Sequence, residues 1–172
     1  TLVMKSYSFA KVSARGMLTE ADYNNKYIFT EDLRNIVNLS ETQRIERTRF
    51  IRERAIPVHN LPLTESGSDM GFRNLLMAVR SLLLIDNFGQ RSLVCCDFGV
   101  NRSRTVIEAF HYAKMGYHFE DEYKGCLNHL IYNCEAGHLP PLEDVENELR
   151  FLRDYKGGDF QYIMEMKERG IF

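Results

Sequence analysis

The chain has 172 residues, of which 44% are hydrophobic and 27% charged, with a formal net charge of −2. This describes an ordinary globular chain, most simply one domain over 1–172, long enough to bury a real core. The near-neutral charge argues against nucleic acid or a bulk anionic membrane surface as partner, no apolar run is long enough for a membrane span, and no signal-peptide pattern opens the chain.

Residues 6–17 alternate weakly and predict a strand or hairpin. Short apolar segments at 27–29, 36–39 and 56–58 have strand length. The highly charged stretch 41–53 reads as a surface helix or as part helix, part loop. Asp69 then caps a run in which Phe72, Leu75, Leu76, Val79, Leu82 and Leu83 share one helical face, which predicts a helix over 70–84. Asn87, Phe88, Gly89 and Gln90 turn the chain into a strand over 92–95. A helix over 102–114 follows, ended by Gly116, and another over 119–135, ended by Gly137. Pro140 and Pro141 open a third helix, Gly157 and Gly158 break the pattern, and 161–169 predicts a short terminal helix. Strands alternate with helices first, and helices then dominate. The fold class is therefore α/β, a sheet covered by helices.

The most informative stretch is Cys96-Asp97-Phe98-Gly99-Val100-Asn101-Arg102-Ser103. A cysteine sits six positions before an arginine, with a strand pattern leading in and a helix pattern leading out. Strand, tight loop and helix N-terminus gather backbone N–H groups and the positive helix end around one point, which suits an anion. A cysteine placed there is favoured as thiolate, and an arginine there can hold a phosphate with two parallel hydrogen bonds. Gly99 lets the backbone turn inward without a Cβ clash. Asn101 can hold the loop's shape, and the Ser103 hydroxyl can donate to the sulfur.

The loop resembles the signature of the cysteine-dependent protein tyrosine and dual-specificity phosphatases, and its Gly99-to-Ser103 portion is especially like the dual-specificity branch. The resemblance continues upstream through 33–40 and 61–66 and downstream through Leu139, Pro140, Pro141 and the helix after them, so that it covers 33–155. Residues 1–30 form an N-terminal segment without such a match, and 156–172 a C-terminal extension. It implies a central mixed, mostly parallel sheet flanked by helices, with the Cys-x5-Arg phosphate-binding loop between a strand and a helix. It implies phosphomonoester hydrolysis through a phosphocysteine, directed at phosphotyrosine or phosphoserine/threonine in proteins, with phosphoinositides and other small phosphoesters as the alternative. Cys96 would be the nucleophile. Asp97, Phe98, Gly99, Val100, Asn101 and Arg102 would form the phosphate site. Glu65, where the family usually has Asp, would be the general acid, with Asp69 as fallback. Ser103 would help the sulfur leave.

Three departures bear on these expectations. Cys95 stands where the family usually has His, Asp97 puts a carboxylate directly after the nucleophile, and Arg104 replaces a usually small residue. Asp97 is expected to point outward, toward a basic feature of the substrate. The missing His and the Glu at the acid position motivate a rival reading, a pseudophosphatase that binds phosphorylated ligands without turnover. A sulfurtransferase or arsenate reductase is a third. Cys95, Cys96, Cys126 and Cys134 fit neither a disulfide framework nor a zinc site, and His59, His111, His118, His129 and His138 show no ligand spacing. The expectation is no metal, no cofactor and a reducing, cytoplasmic setting.

Overall fold

The computed structural model describes residues 8–46, 48–63, 71–98, 102–118 and 139–172. Its sheet comprises β1 (Ser8–Phe9), β2 (Val12–Arg15), β3 (Leu33–Asn38), β4 (Val58–Asn60) and β5 (Arg91–Cys95). The spatial order is β1-β2-β5-β3-β4. Only β1 and β2 pair antiparallel; β2 with β5, β5 with β3 and β3 with β4 are parallel. The sheet is therefore mixed and mostly parallel, as the resemblance implied. The weak alternation at 6–17 does form a hairpin, and its second strand is built into the sheet beside β5.

The helices among the described residues are α1 (Arg49–Glu53), α2 (Gly71–Asn87), α3 (Arg102–Met115), α4 (Leu142–Asp154) and α5 (Asp159–Glu168). α2 carries the predicted apolar face: Phe72, Leu75, Leu76, Val79 and Leu82 are buried. α3 is buried over most of its circumference, and Gly116 follows it at φ +83°, the left-handed conformation that ends helices. The predicted helix over 119–135 lies outside the described residues.

Two expectations are corrected. The apolar segment 27–29 is a turn, because the Asn25 carbonyl accepts from the backbone N–H of Ile28 and Phe29 and its side chain accepts from that of Tyr27. The charged stretch 41–53 is helical only in α1. Its first part is tied into a loop by the Ser40 hydroxyl, which accepts from the backbone N–H groups of Thr42 and Gln43. A 3₁₀ turn at Glu20–Asn24, which the sequence pattern did not announce, is held by an Asp22–Thr19 capping box.

Strand alternation splits the core in two. Val12, Ala14, Val37, Leu39, Val94 and Cys96 face α2, α3, α4 and α5. Leu33, Ile36, Leu93 and Cys95 face the other way, toward Phe29, Ile45, Ile51 and Ile56. The C-terminal extension belongs to the first core: Tyr162 and Met166 of α5 are fully buried in it. Glu148 of α4, also buried, receives a bidentate Arg169 at 2.6 and 2.9 Å. That guanidinium lies 4.3 Å from the Phe151 ring centroid.

Candidate active site

The candidate site forms where β5 ends and α3 begins. The Cys95 carbonyl accepts from Leu39 N–H at 2.8 Å, and Cys96 N–H donates to the Arg15 carbonyl at 3.2 Å. The backbone around the two cysteines is thus pinned between the ends of β2 and β3. Cys96 is buried, and its Sγ lies 3.3 Å from the Ser103 Oγ, a hydrogen bond between the end of β5 and the first turn of α3. Ser103 is itself fully buried. Arg102 is the first residue of α3 and stands at the positive end of this 14-residue helix.

The Arg102 guanidinium is held at both terminal nitrogens. Nη2 donates to Asp97 Oδ2 at 2.7 Å, and Nη1 to the Leu63 carbonyl at 3.4 Å. Leu63 stands two residues before Glu65 in the chain. Its own N–H donates to the Leu39 carbonyl at 3.1 Å, and the neighbouring Pro62 carbonyl accepts from Asn74 Nδ2 at 2.8 Å. The segment leading to Glu65 is therefore anchored beside Arg102. Glu65, Asp69, Gly99, Val100 and Asn101 lie outside the described residues. Phe98 is 73% exposed at the surface of the loop.

Asp97 departs from its expected orientation. Its carboxylate does not point outward to a substrate but turns onto Arg102. Its other oxygen accepts from Ser40 Oγ at 2.6 Å and Gln43 Nε2 at 3.2 Å. The Ser40 hydroxyl first, and Arg102 next, hold the Asp97 carboxyl below the usual carboxylate range. The sequence pattern singled out neither Ser40 nor Gln43. The only signal was Ser40 closing an apolar strand pattern, and their partner lies more than fifty residues away.

Cys95 is fully buried among apolar side chains, and burial pushes its thiol up to about 12. It stands in the other core, on the opposite face of the sheet from Cys96. Among the described residues, no three His, Cys, Asp or Glu side chains are grouped to hold a metal ion, and no helix is long and apolar enough to cross a membrane. A separate groove of about 550 Å³, lined by Arg80, Lys114, Arg153 and Lys156, opens at the far end of α3. The length of α3 puts it roughly 20 Å from Cys96.

No family model and no curated protein matches the sequence. Solved structures do match the fold. PTPMT1 in complex with PI(5)P superposes with a TM-score of 0.57 at 13% identity, over 84% of this chain and 93% of that one. Human DUSP28 gives 0.54 at 13% identity, over 87% and 92%. The PP-IP phosphatase SIW14 from S. cerevisiae, in complex with citrate, gives 0.51 at 12% identity, over 94% and 91%. The chain has the fold of the cysteine-dependent, dual-specificity-like phosphatases.

Proposed function

We propose that this chain hydrolyses phosphomonoesters through a phosphocysteine intermediate. The observation that carries the reading is the junction of β5 and α3. There the Cys96 sulfur sits 3.3 Å from the Ser103 hydroxyl, and the guanidinium of Arg102, the first residue of the same helix, is held by the Asp97 that follows the nucleophile. The Cys96 thiolate attacks phosphorus as the bond to the leaving oxygen breaks, and Glu65 supplies that oxygen's proton. Arg102 and the loop N–H groups, from Asp97 through Asn101, stabilise the equatorial oxygens in the transition state. Water then attacks the phosphocysteine, giving its proton to Glu65, while Ser103 donates to the departing sulfur. The anchoring of Leu63 against Arg102 supports Glu65 as the acid.

The first substrate class is phosphotyrosine and phosphoserine/threonine in proteins, in a reducing, cytoplasmic setting. A second reading is a phosphoinositide or another small phosphoester. It is favoured by two of the matched structures, one solved with PI(5)P and one named a PP-IP phosphatase.

Hydrolysis of a small aryl phosphate by wild type, Cys96→Ser and Glu65→Gln, across pH under reducing conditions, tests the reading. The expected result is turnover that Cys96→Ser abolishes, with the basic limb of the pH profile lost in Glu65→Gln. Absence of wild-type turnover, with oxyanion binding intact, would leave the phospholigand-binding module. Phosphate release from phosphopeptides against phosphoinositides then separates the substrate classes.

A further inference from the structure

We propose that Asp97 is the positioning residue for Arg102, its carboxylate fixing the guanidinium at the start of α3 before substrate arrives. This rests on the phosphatase reading above and adds a side-chain role to a residue whose backbone alone belonged to the expected phosphate loop.

A free arginine side chain loses much rotamer entropy when it is held on a ligand, and a fork that is already anchored does not lose it on binding. Here Asp97 and the Leu63 carbonyl hold the two terminal nitrogens. Asp97 is in turn braced. Its Oδ1 accepts from the Ser40 hydroxyl and the Gln43 amide. The Ser40 N–H donates to Asn38 Oδ1 at 3.0 Å, and Asn38 Nδ2 donates to the Gln43 carbonyl at 2.7 Å and to Asn60 Oδ1 at 2.8 Å. Asn38 and Ser40 are buried. A continuous polar chain therefore runs from the ends of β4 and β3, through Ser40 and Asp97, to Arg102.

The brace decides between two roles for a carboxylate on the phosphate-binding arginine. A competing anion has to swing away when phosphate enters, which needs a side chain with freedom to move. Asp97 has its second oxygen committed to two donors, one of them on a buried serine. Its position is set by the sheet, so it orients the guanidinium instead of blocking it.

The test measures kcat and KM for an aryl phosphate, together with tungstate affinity and melting temperature. The proteins are wild type, Asp97→Asn, Asp97→Ala and Ser40→Ala. Loss of a charge-assisted hydrogen bond predicts at least a roughly tenfold fall in kcat and in tungstate affinity for Asp97→Ala. Asp97→Asn, whose amide oxygen still accepts from Arg102, falls only about threefold, and Ser40→Ala falls between wild type and Asp97→Ala. Melting temperature does not follow that order. Unchanged or tighter tungstate binding in Asp97→Ala and Asp97→Asn, with wild-type kcat, overturns the proposal and leaves the phosphatase reading intact. Asp97-dependent tungstate binding without turnover by wild type on any phosphoester supports the positioning role and overturns the phosphatase reading. A wild type that neither hydrolyses nor binds tungstate overturns both.

Discussion

Cys95 and Cys96 are adjacent in the chain and lie on opposite faces of the sheet: Cys96 under α3 beside Ser103, Cys95 packed against Leu33, Ile36 and Leu93. The two thiols therefore differ in environment. Native alkylation with iodoacetamide near neutral pH, read by peptide mapping, is expected to modify Cys96 and leave Cys95 untouched. The Cys95 thiol, pushed up to about 12 by burial, is folded as the neutral form. Its contribution to stability is full below the ordinary thiol value of 9.0 and is lost as pH rises toward about 12. Modification of Cys95 at the same rate as Cys96 would sink this assignment.

Asp97 predicts an acid limb in stability. Its carboxyl is held below the ordinary 3.8, by Ser40 first and Arg102 next. The contribution is present above the ordinary value and is lost as pH falls through the lowered one. Urea midpoints taken from about pH 5 downward should fall more steeply for wild type than for Asp97→Asn, which has no proton to take up. Parallel curves would show that folding does not lower the Asp97 carboxyl, and would sink its charge-assisted contacts with Ser40 and Arg102.

Arg169→Ala leaves the buried Glu148 carboxylate without its bidentate partner and removes a cation from the Phe151 ring. Breaking a fully buried pair costs about 3–5 kcal/mol, but Arg169 is 36% exposed, so about 2 kcal/mol is expected. Chemical denaturation measures it, and Glu148→Gln in the Arg169→Ala background should recover part of the loss. A change within 0.5 kcal/mol, the range of ordinary surface substitutions, would mean that α5 is not held by this pair.

Gly116→Ala should destabilise by about 1 kcal/mol, because φ of +83° is the left-handed region where a Cβ is strained. Among the described residues only the Arg153 guanidinium comes within 4 Å of an added Cβ, so the expected loss is conformational. Gly89, at φ +69° with nothing among the described residues within 4 Å of an added Cβ, serves as an internal control, and its alanine variant should behave alike.

The regular parts of the fold were legible because their signals are local. α2 is written in the spacing from Phe72 to Leu82, and α3 in the helical pattern that ends at Gly116. At the junction between β5 and α3, the spacing of Cys96, Arg102 and Ser103 was enough to bring the three together on paper. What the sequence hid was non-local or set by one polar side chain. Asp97 was expected to face solvent because its partner Ser40 stands 57 residues away and gives no sign in the chain. Asn25 turned an apolar, strand-length segment into a turn, and Ser40 drew the start of a charged stretch out of a helix. Cys95 carried no indication of which core it faced until the strand register was known.

Among the described residues, both margins of the sheet are its shortest strands, two residues in β1 and three in β4. A margin of that length offers a passing chain few open backbone donors and acceptors to pair with, and Pro57 removes one donor just before β4 begins. The longer strands β3 and β5 sit inside, where each is paired on both sides. The sheet is thereby protected from growing by self-association.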